Sequence, residues 1–449
     1  MTLSGLLPSR RHGSNPCPDR AVWPLSAHVD DRGRLCVGGV AATDVAAEFG
    51  TPTYLVDEED FRARIRSYRV TLPDAELVYA GKALLSVDVA RWAAEEGAGV
   101  KVCSAGELAT ALAAGVSPSR IIVHGAKGAG ELHDAVAAGV GRVVIDSPSE
   151  VALLACRVRQ RQRALIRVIP DIGASDTEVI DQKFGFAIAG GQAAGAVKRV
   201  LDQPWLDLVG LHCQLGSQVT EAALYGEAIR QMIAVMTEVR HRHQIVLSEL
   251  NLGGGHAVPH RSGDPELDLR SFAAGIDAAV ESACTSHQFP RPQLVIEPGR
   301  AIAARAGITL CRVIAVKRQP SGRTFIAVDG SLADDPQARA AATNYPVALA
   351  NRHLPATIAP VTVVGRHYQA GEEIARDVAL PADIHPGDLL AVACTGAYQH
   401  STGSGRNLVG RPPLVAVSNG RSRELVRRET VTDLLARDRG WSGEQPGSE

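Results

Sequence analysis

The chain alternates short apolar runs with longer stretches in which apolar residues recur every three or four positions. The apolar runs predict eight strands, at residues 76–81, 99–103, 120–125, 142–147, 164–169, 208–215, 246–254 and 293–300. Residues 87–96, 106–114, 131–138, 148–159 and 221–240 have the spacing of helices that bury one face. Strands separated by helices predict βαβ units in a parallel sheet. Eight such strands fit a closed (β/α)8 TIM barrel, and an open doubly wound sheet is the alternative.

The pattern changes near residue 300. Further strands are predicted at 308–317, 324–329, 359–364, 389–393 and 414–418, joined by Gly and Pro turns with little helix. Before the barrel, residues 34–40 predict a strand and 44–49 a helix, which we expect to join the later strands. The predicted domains are therefore a barrel over 53–303 and a β-rich domain built from 23–52 and 304–440. Residues 1–22 and 441–449 are polar or rich in Pro and Gly, and we expect them to be poorly ordered.

Composition excludes several classes of function. The chain has 449 residues, which favours more than one domain, and its formal net charge is −2. We therefore expect neither a nucleic acid nor a membrane surface as partner. No apolar run approaches the roughly 20 residues that span a bilayer, and the first residues do not form a secretory signal. The 8 cysteines are scattered without a CxxC pair, which favours neither disulfides nor a metal site and suggests a reducing cytoplasm.

A lysine ends the first predicted barrel strand. Lysine is scarce in this chain, occurring at Lys82 and five other positions. The C-terminal ends of barrel strands form the active-site mouth, where partial burial lowers the pKa of an amine and leaves it nucleophilic. Taken alone, Lys82 is better explained as an ordinary surface lysine that follows a strand.

Two more clusters fall at strand ends. Gly253, Gly254 and Gly255 follow the seventh strand, and backbone without a Cβ can approach a phosphate closely. A tight turn would use the same residues. Glu297 and Arg300 close the eighth strand, where a structural ion pair is the alternative.

In this order, the three clusters resemble the fold-type III PLP-dependent decarboxylases, whose barrel is of the alanine racemase type. The likeness is greatest to the diaminopimelate decarboxylase branch and extends over about residues 35–437. Other matching stretches are 102–108 (VCSAGEL), 181–185 (DQKFG), 216–218 (GSQ), 328–330 (VDG), 395–398 (TGAY) and 409–413 (VGRPP).

The resemblance implies roles for individual residues. Lys82 would carry pyridoxal 5′-phosphate (PLP) as a Schiff base, with Asp88 orienting it, and Glu297 would pair with the pyridine nitrogen. The residues implied to hold the phosphate are Ser217, Gly254, Gly255, Gly299, Arg300 and Tyr398. The resemblance also implies a head-to-tail homodimer in which the β-domain of one chain completes the site of the other.

The sequence departs from the family pattern around the substrate. Gln214 replaces a histidine that stacks on the cofactor ring, and Tyr368 replaces a cysteine that donates a proton to Cα. Tyr368, or His367 beside it, would become the donor, unless this loop has lost its role. Gln369 and Gln337 replace a glutamate and an arginine that grip the far end of the substrate, so no charge recognises a distal carboxylate there.

These changes predict a decarboxylase with a rebuilt substrate pocket in specialised biosynthesis, such as that of an antibiotic. Its substrate would be an amino acid or an aminoacyl group, for example one bound to a carrier protein. It would be contacted by Arg300, Tyr398, Gln337 and Gln369. The alternatives are diaminopimelate decarboxylation in lysine biosynthesis, another PLP reaction such as racemisation, transamination or decarboxylation with deamination, and a non-catalytic regulatory homologue.

Overall fold

The computed structural model describes residues 18–172, 183–331, 344–352, 357–367, 372–403 and 405–441. Its strands are β1 (His28–Val29), β2 (Leu35–Val37), β3 (Val40–Ala41), β4 (Thr53–Asp57), β5 (Glu76–Ala80), β6 (Gly99–Val102), β7 (Ile121–Val123), β8 (Arg142–Ile145), β9 (Gln162–Ile169), β10 (Phe186–Ala187), β11 (Leu206–His212), β12 (Glu249–Asn251), β13 (Gln293–Ile296), β14 (Gly307–Arg318), β15 (Thr324–Val328), β16 (Val347–Leu349), β17 (Ile358–Val364), β18 (Glu373–Pro381), β19 (Leu389–Val392), β20 (Leu414–Ser418) and β21 (Arg421–Val426). Its helices are α1 (Ala42–Phe49), α2 (Glu58–Thr71), α3 (Val87–Glu95), α4 (Ala105–Ala113), α5 (Ala129–Ala138), α6 (Pro148–Ala155), α7 (Gln192–Leu201), α8 (Ala222–His243), α9 (Leu269–His287), α10 (Arg300–Ala303), α11 (Gln399–Thr402) and α12 (Val431–Leu435).

Eight parallel strands close into a barrel. They pair in the order β5-β6-β7-β8-β9-β11-β12-β13, and β13 returns to β5 with Val295 opposite Glu76. The prediction of a (β/α)8 barrel is therefore confirmed, because in an open sheet the first and last strands, β5 and β13, would not pair with each other. Each of the eight predicted strands corresponds to one of these, with ends shifted by a few residues.

The inside of the barrel is layered. A cluster of six apolar side chains fills its middle: Val78, Ile122, Val144, Leu165, Val209 and Val295. Side chains alternate along a strand, so the residue two positions later points to the same side. There the side chains are polar: His124 follows Ile122, and Glu297 follows Val295. An apolar floor thus lies beneath a polar layer at the C-terminal ends of the strands.

Serine caps fix where several outer helices begin. Ser86, Ser104 and Ser147 each follow a barrel strand and accept a hydrogen bond from a backbone N–H in the first turn of α3, α4 and α6. Such caps satisfy N–H groups that a helix leaves unpaired. The helices consequently start directly above the barrel mouth, which keeps the connecting loops short.

The second domain is a β-sheet built around the long strand β14. The strands follow the order β18-β17-β15-β14-β4-β20-β21, and β19 joins β14 to β16. The barrel domain was predicted to begin at residue 53, and this boundary is corrected: Thr53–Asp57 forms strand β4, which pairs with β14 and β20 and is buried throughout. The strand Glu373–Pro381 was missed by the sequence analysis.

The N-terminal segment packs on this domain, as expected. The predicted strand at 34–40 is a hairpin of β2 and β3, which turns at Gly38 and Gly39 with positive φ. Val22 is fully buried in an apolar cluster with residues of β14 and β20, although we expected residues 1–22 to be poorly ordered. Residues 1–17 and 442–449 lie outside the described part. Within that part, no helix is both long and apolar enough to traverse a bilayer.

Candidate active site

Lys82 opens into a cavity at the C-terminal mouth of the barrel. It lies in the short turn Gly81–Ala83 that follows β5. The cavity has a volume of about 380 Å³, and its walls include Lys82, Lys101, Glu297 and Arg300. The Lys82 side chain is exposed to the cavity, but the surrounding protein limits hydration of its amine. This burial lowers the pKa of Lys82, and the nearby charge of Lys101 lowers it further, so the neutral amine is more accessible than in an ordinary lysine.

Glu297 is the buried carboxylate of the cavity. It is only 2% exposed. Its Oε2 accepts hydrogen bonds from Lys101 Nζ at 2.6 Å and from His212 Nε2 at 3.1 Å, and its Oε1 accepts one from Asn251 Nδ2 at 2.8 Å. Burial alone would raise the pKa of Glu297, but Lys101 and His212 outweigh it and hold the pKa well below the ordinary range. The carboxylate is therefore ionised.

Two histidines border this carboxylate. The rings of His124 and His212 meet edge to face with centroids 4.4 Å apart, and His124 Nε2 lies 3.3 Å from Asp146. Burial lowers the pKa of both histidines, which favours their neutral forms. Donor atoms of His124, His212 and Glu297 lie within 4.8 Å of one another. The ammonium of Lys101 already binds Glu297 there, which opposes a metal ion.

Three residues of this layer were not predicted from the sequence as site residues: Lys101, His124 and His212. Each lies on or directly after a barrel strand and points inward. The alternation of side chains along a strand carried a signal for Lys101, because Val100 and Val102 beside it are fully buried on the outer face.

The glycine loop after β12 forms a close-fitting wall. A Cβ on Gly254 would collide with the carbonyl oxygen of Glu297, and one on Gly255 would collide with that of Gly216. Gly255 also has φ +92°, a conformation that L-residues rarely adopt. Gly254, Gly255 and Ser217 all line the cavity.

Gln214 lines the cavity and joins its two loops. Its Nε2 donates to the carbonyl of Gly216 at 2.7 Å, and its Oε1 accepts from the N–H of Gly254 at 3.2 Å. These two hydrogen bonds join the loop after β11 to the glycine loop after β12. Contact of Gln214 with the cofactor ring, where the family has a histidine, stays a prediction.

The opposite wall joins the two domains. Arg300 packs on the ring of Tyr398, with its guanidinium carbon 4.6 Å from the ring centroid. The N–H of Tyr398 donates to the carbonyl of Ala83 at 2.7 Å, so the β-domain is tied to the turn that carries Lys82. Tyr398 has φ +67°, a strained backbone conformation typical of functional sites. Gly299 also lines the cavity, and a Cβ there would lie 3.0 Å from Ala80.

Asp88 does not lie at this site. Its carboxylate forms ion pairs with Arg91 at 2.6 Å and Arg423 at 2.8 Å, and it is not part of the cavity wall. The prediction that Asp88 orients Lys82 is corrected, because α3 turns the carboxylate toward these two arginines.

His367 lies in a different place within the chain. It borders a smaller cavity with Asp329, Ser331 and Arg411 and does not line the Lys82 cavity. A role for His367 at Lys82 therefore requires a second copy of the chain. Tyr368, Gln369 and Gln337 lie outside the described residues.

The chemistry of the cavity fits PLP. An amine of lowered pKa is available to the aldehyde, an ionised carboxylate is available to the ring nitrogen, and glycine backbone with Arg300 is available to the phosphate. The volume also lies within the range of about 300–1,000 Å³ usual for small-molecule sites.

Comparison with known proteins gives the same result. Residues 58–304 match the family model of the pyridoxal-dependent decarboxylases, pyridoxal binding domain. Diaminopimelate decarboxylase of Actinosynnema pretiosum subsp. auranticum is 48% identical over 444 residues, which cover 98% of this chain and 100% of that protein. The enzyme of that name from Mycobacterium tuberculosis (strain ATCC 25618 / H37Rv) is 39% identical over 433 residues, covering 92% and 97% of the two chains.

A solved structure shares the fold. Diaminopimelate decarboxylase from M. jannaschii in co-complex with L-lysine superposes with a TM-score of 0.86 at 26% identity, covering 92% of this chain and 98% of that one. The predicted family, cofactor and enzyme class are thus confirmed. The chain belongs to the pyridoxal-dependent decarboxylase family and is a PLP-dependent carboxy-lyase of the diaminopimelate decarboxylase kind.

Proposed function

We propose that this enzyme removes an α-carboxylate from diaminopimelate, with Lys82 as the attachment point of PLP. The observation that carries the assignment of the site is that the Lys82 amine and the ionised Glu297 face one cavity bounded by a glycine wall. The substrate is supported by the relatives named diaminopimelate decarboxylase, one of which matches almost the whole chain.

When bound, PLP supplies an aldehyde that condenses with amines and a ring that accepts the electron pair left by departing CO₂. The chain supplies the surroundings. Lys82 provides an amine with a lowered proton affinity. Glu297 holds negative charge at the ring nitrogen, while Gly254, Gly255 and Arg300 bind the phosphate. The tie between Tyr398 and Ala83 holds the Lys82 turn against the β-domain.

The proton that replaces CO₂ on Cα needs a donor. We assign it to Tyr368 or His367 of a second chain, in keeping with the head-to-tail homodimer that the family resemblance implies. His367 faces another cavity of its own chain, which supports a role in trans. Mixing Lys82→Ala chains with Tyr368→Phe,His367→Gln chains should restore activity in the heterodimer. Absence of recovery would contradict shared sites.

A second candidate substrate has an uncharged far end. By the family resemblance, Gln337 and Gln369 replace the charged partners of a distal carboxylate. Losing a charged hydrogen bond to a buried group costs about 1.5–3 kcal/mol, which is roughly 10- to 150-fold in binding. A substrate whose distal carboxylate is masked would avoid this loss of binding. It could be a free amino acid derivative or an aminoacyl group on a carrier protein.

Direct turnover decides between the two substrates. PLP-loaded enzyme should release CO₂ from diaminopimelate and form lysine, while Lys82→Ala should release none. Turnover of a distal amide of diaminopimelate with no turnover of the free acid would instead establish the second candidate. Running the reaction in D₂O should place deuterium at Cα of the product, whereas a carbonyl product would show transamination or deamination.

The attachment point is tested by chemical reduction. Borohydride should fix PLP on Lys82, and peptide mapping should find the modified residue there. Lys101 is the internal control, because it lines the same cavity but is bonded to Glu297. Modification of Lys101 alone would refute the assignment.

A further inference from the structure

A buried lysine binds the carboxylate of Glu297, the residue proposed to pair with the ring nitrogen of the cofactor. Lys101 lies on β6 and is 5% exposed, and its Nζ lies 2.6 Å from Glu297 Oε2. His212 donates to the same oxygen and Asn251 donates to the other one. A ring nitrogen that binds Glu297 therefore meets a carboxylate whose charge is already compensated.

The charge around Glu297 is set by every strand that faces it. The titratable groups of this layer are Lys82 after β5, Lys101 from β6, Cys103 after β6, His124 after β7, Asp146 after β8, Arg167 from β9 and His212 from β11. Burial keeps both histidines neutral, as described above. Asp146 has its own cationic partners in Lys127 and Arg167, at 3.5 and 3.7 Å. Lys101 is the cation in direct contact with Glu297.

A carboxylate raises the proton affinity of a neighbouring ring nitrogen through its negative charge. An ammonium on the same carboxylate oxygen cancels much of that effect, and the buried position prevents solvent from screening it. Lys101 thus acts on the ring nitrogen through Glu297, without needing to touch the cofactor.

We propose that Lys101 is a positioning residue that lowers the proton affinity of the PLP ring nitrogen, so that the ring loses its proton at a lower pH than Glu297 alone would allow. This inference rests on the proposed pairing of Glu297 with that nitrogen. Its consequence is a weaker electron-accepting ring than an uncompensated carboxylate would give.

The test is the ¹⁵N chemical shift of PLP labelled at the ring nitrogen, followed by NMR between pH 6 and 10 in the holoenzyme without substrate. Lys101→Met removes the charge and keeps the length of the side chain. We expect the protonation midpoint of the ring nitrogen to rise by about one to two pH units in this variant. Lys101→Arg keeps the charge and should stay within about half a unit of the wild type.

Lys127→Met is the matched control. Lys127 is another buried lysine with carboxylate partners, Glu150 at 3.1 Å and Asp146, but it lies outside the cavity wall. Its removal should leave the midpoint unchanged. If Lys101→Met fails to fold, Lys101→Gln provides the same comparison. An equal midpoint in the wild type and the charge-removing variant would overturn the proposal, as would an equal rise in Lys127→Met.

The measurement separates this inference from the proposed function. It uses no substrate, so the result does not depend on which amino acid the enzyme decarboxylates. If the protonation midpoint rises in Lys101→Met but the wild type does not decarboxylate diaminopimelate, the role of Lys101 stands and the proposed substrate is refuted. If the wild type decarboxylates diaminopimelate but the midpoint does not rise in Lys101→Met, the substrate stands and the role of Lys101 is refuted.

Discussion

His256 gives a stability prediction whose size follows from its surroundings. Its ring lies parallel to Tyr68 and near Phe272, with centroids 5.6 and 4.8 Å away, and its Nδ1 bonds the Tyr68 hydroxyl at 2.8 Å. Burial, with a smaller contribution from the charge of Arg64, lowers the pKa of His256 to about 3. The native protein therefore keeps this ring neutral well into acid.

The unfolded chain behaves differently, because an exposed histidine has a pKa of about 6.5. Between pH 6.5 and 3 the unfolded state binds a proton on His256 that the native state does not. Stability must then fall as the pH falls, and it is regained above pH 6.5. Integrated from pH 7 to 5, the loss from this one residue is about 2 kcal/mol.

Urea unfolding of the wild type and of His256→Gln at pH 7 and pH 5 measures this contribution. Loss of the packed ring should cost the variant about 1–3 kcal/mol at pH 7. Its further loss on going to pH 5 should be smaller than that of the wild type by about 2 kcal/mol. His133→Gln, at an exposed position on α5, should retain the wild-type pH dependence. Equal pH dependence in the wild type and His256→Gln would refute this account of the site.

Three further predictions concern the cavity. Gly255→Ala should weaken PLP binding at least tenfold in an absorbance titration, because a Cβ collides with the neighbouring loop and φ is positive; unchanged affinity would contradict the glycine wall. In a double-mutant cycle measured by urea unfolding, Lys101→Met and Glu297→Gln should each lower the free energy of unfolding by about 3–5 kcal/mol. The double variant should lose at least about 2 kcal/mol less than the sum of the two single losses; additive losses would show that the pair is not coupled. Asp88→Asn should change the yield of borohydride-fixed Lys82 less than twofold, since Asp88 has arginine partners elsewhere; a large drop would restore the original assignment.

The barrel could be predicted because its strands are buried on both sides and read as compact apolar runs. The β-domain was harder. Strand Glu373–Pro381, which pairs with β17, carries exposed charged residues, so its apolar pattern is weak. Thr53–Asp57 looks like any buried strand, and its pairing with Gly307–Arg318 and Leu414–Ser418, both distant in sequence, shows the domain to which it belongs.

The candidate site was only partly predictable. Lys82, Glu297 and the glycines stand out because they occur at strand ends in the order that the family resemblance requires. Lys101 and His124 did not, because their importance depends on which strands become neighbours when the barrel closes. Asp88 was misassigned for a related reason: its partner Arg423 comes from β21 of the other domain. Sequence spacing shows which face a side chain occupies and does not show what lies opposite.

The layering of the barrel explains how two lysines in one cavity acquire different roles. The apolar floor excludes water from below, so charges in the polar layer must be compensated by one another. Lys101 reaches Glu297 and is held as the partner of a buried carboxylate. Lys82 lies farther toward the mouth, where that same ammonium adds to burial in lowering the pKa of its amine. One ion pair therefore keeps the carboxylate ionised and at the same time favours the neutral, reactive form of the second lysine.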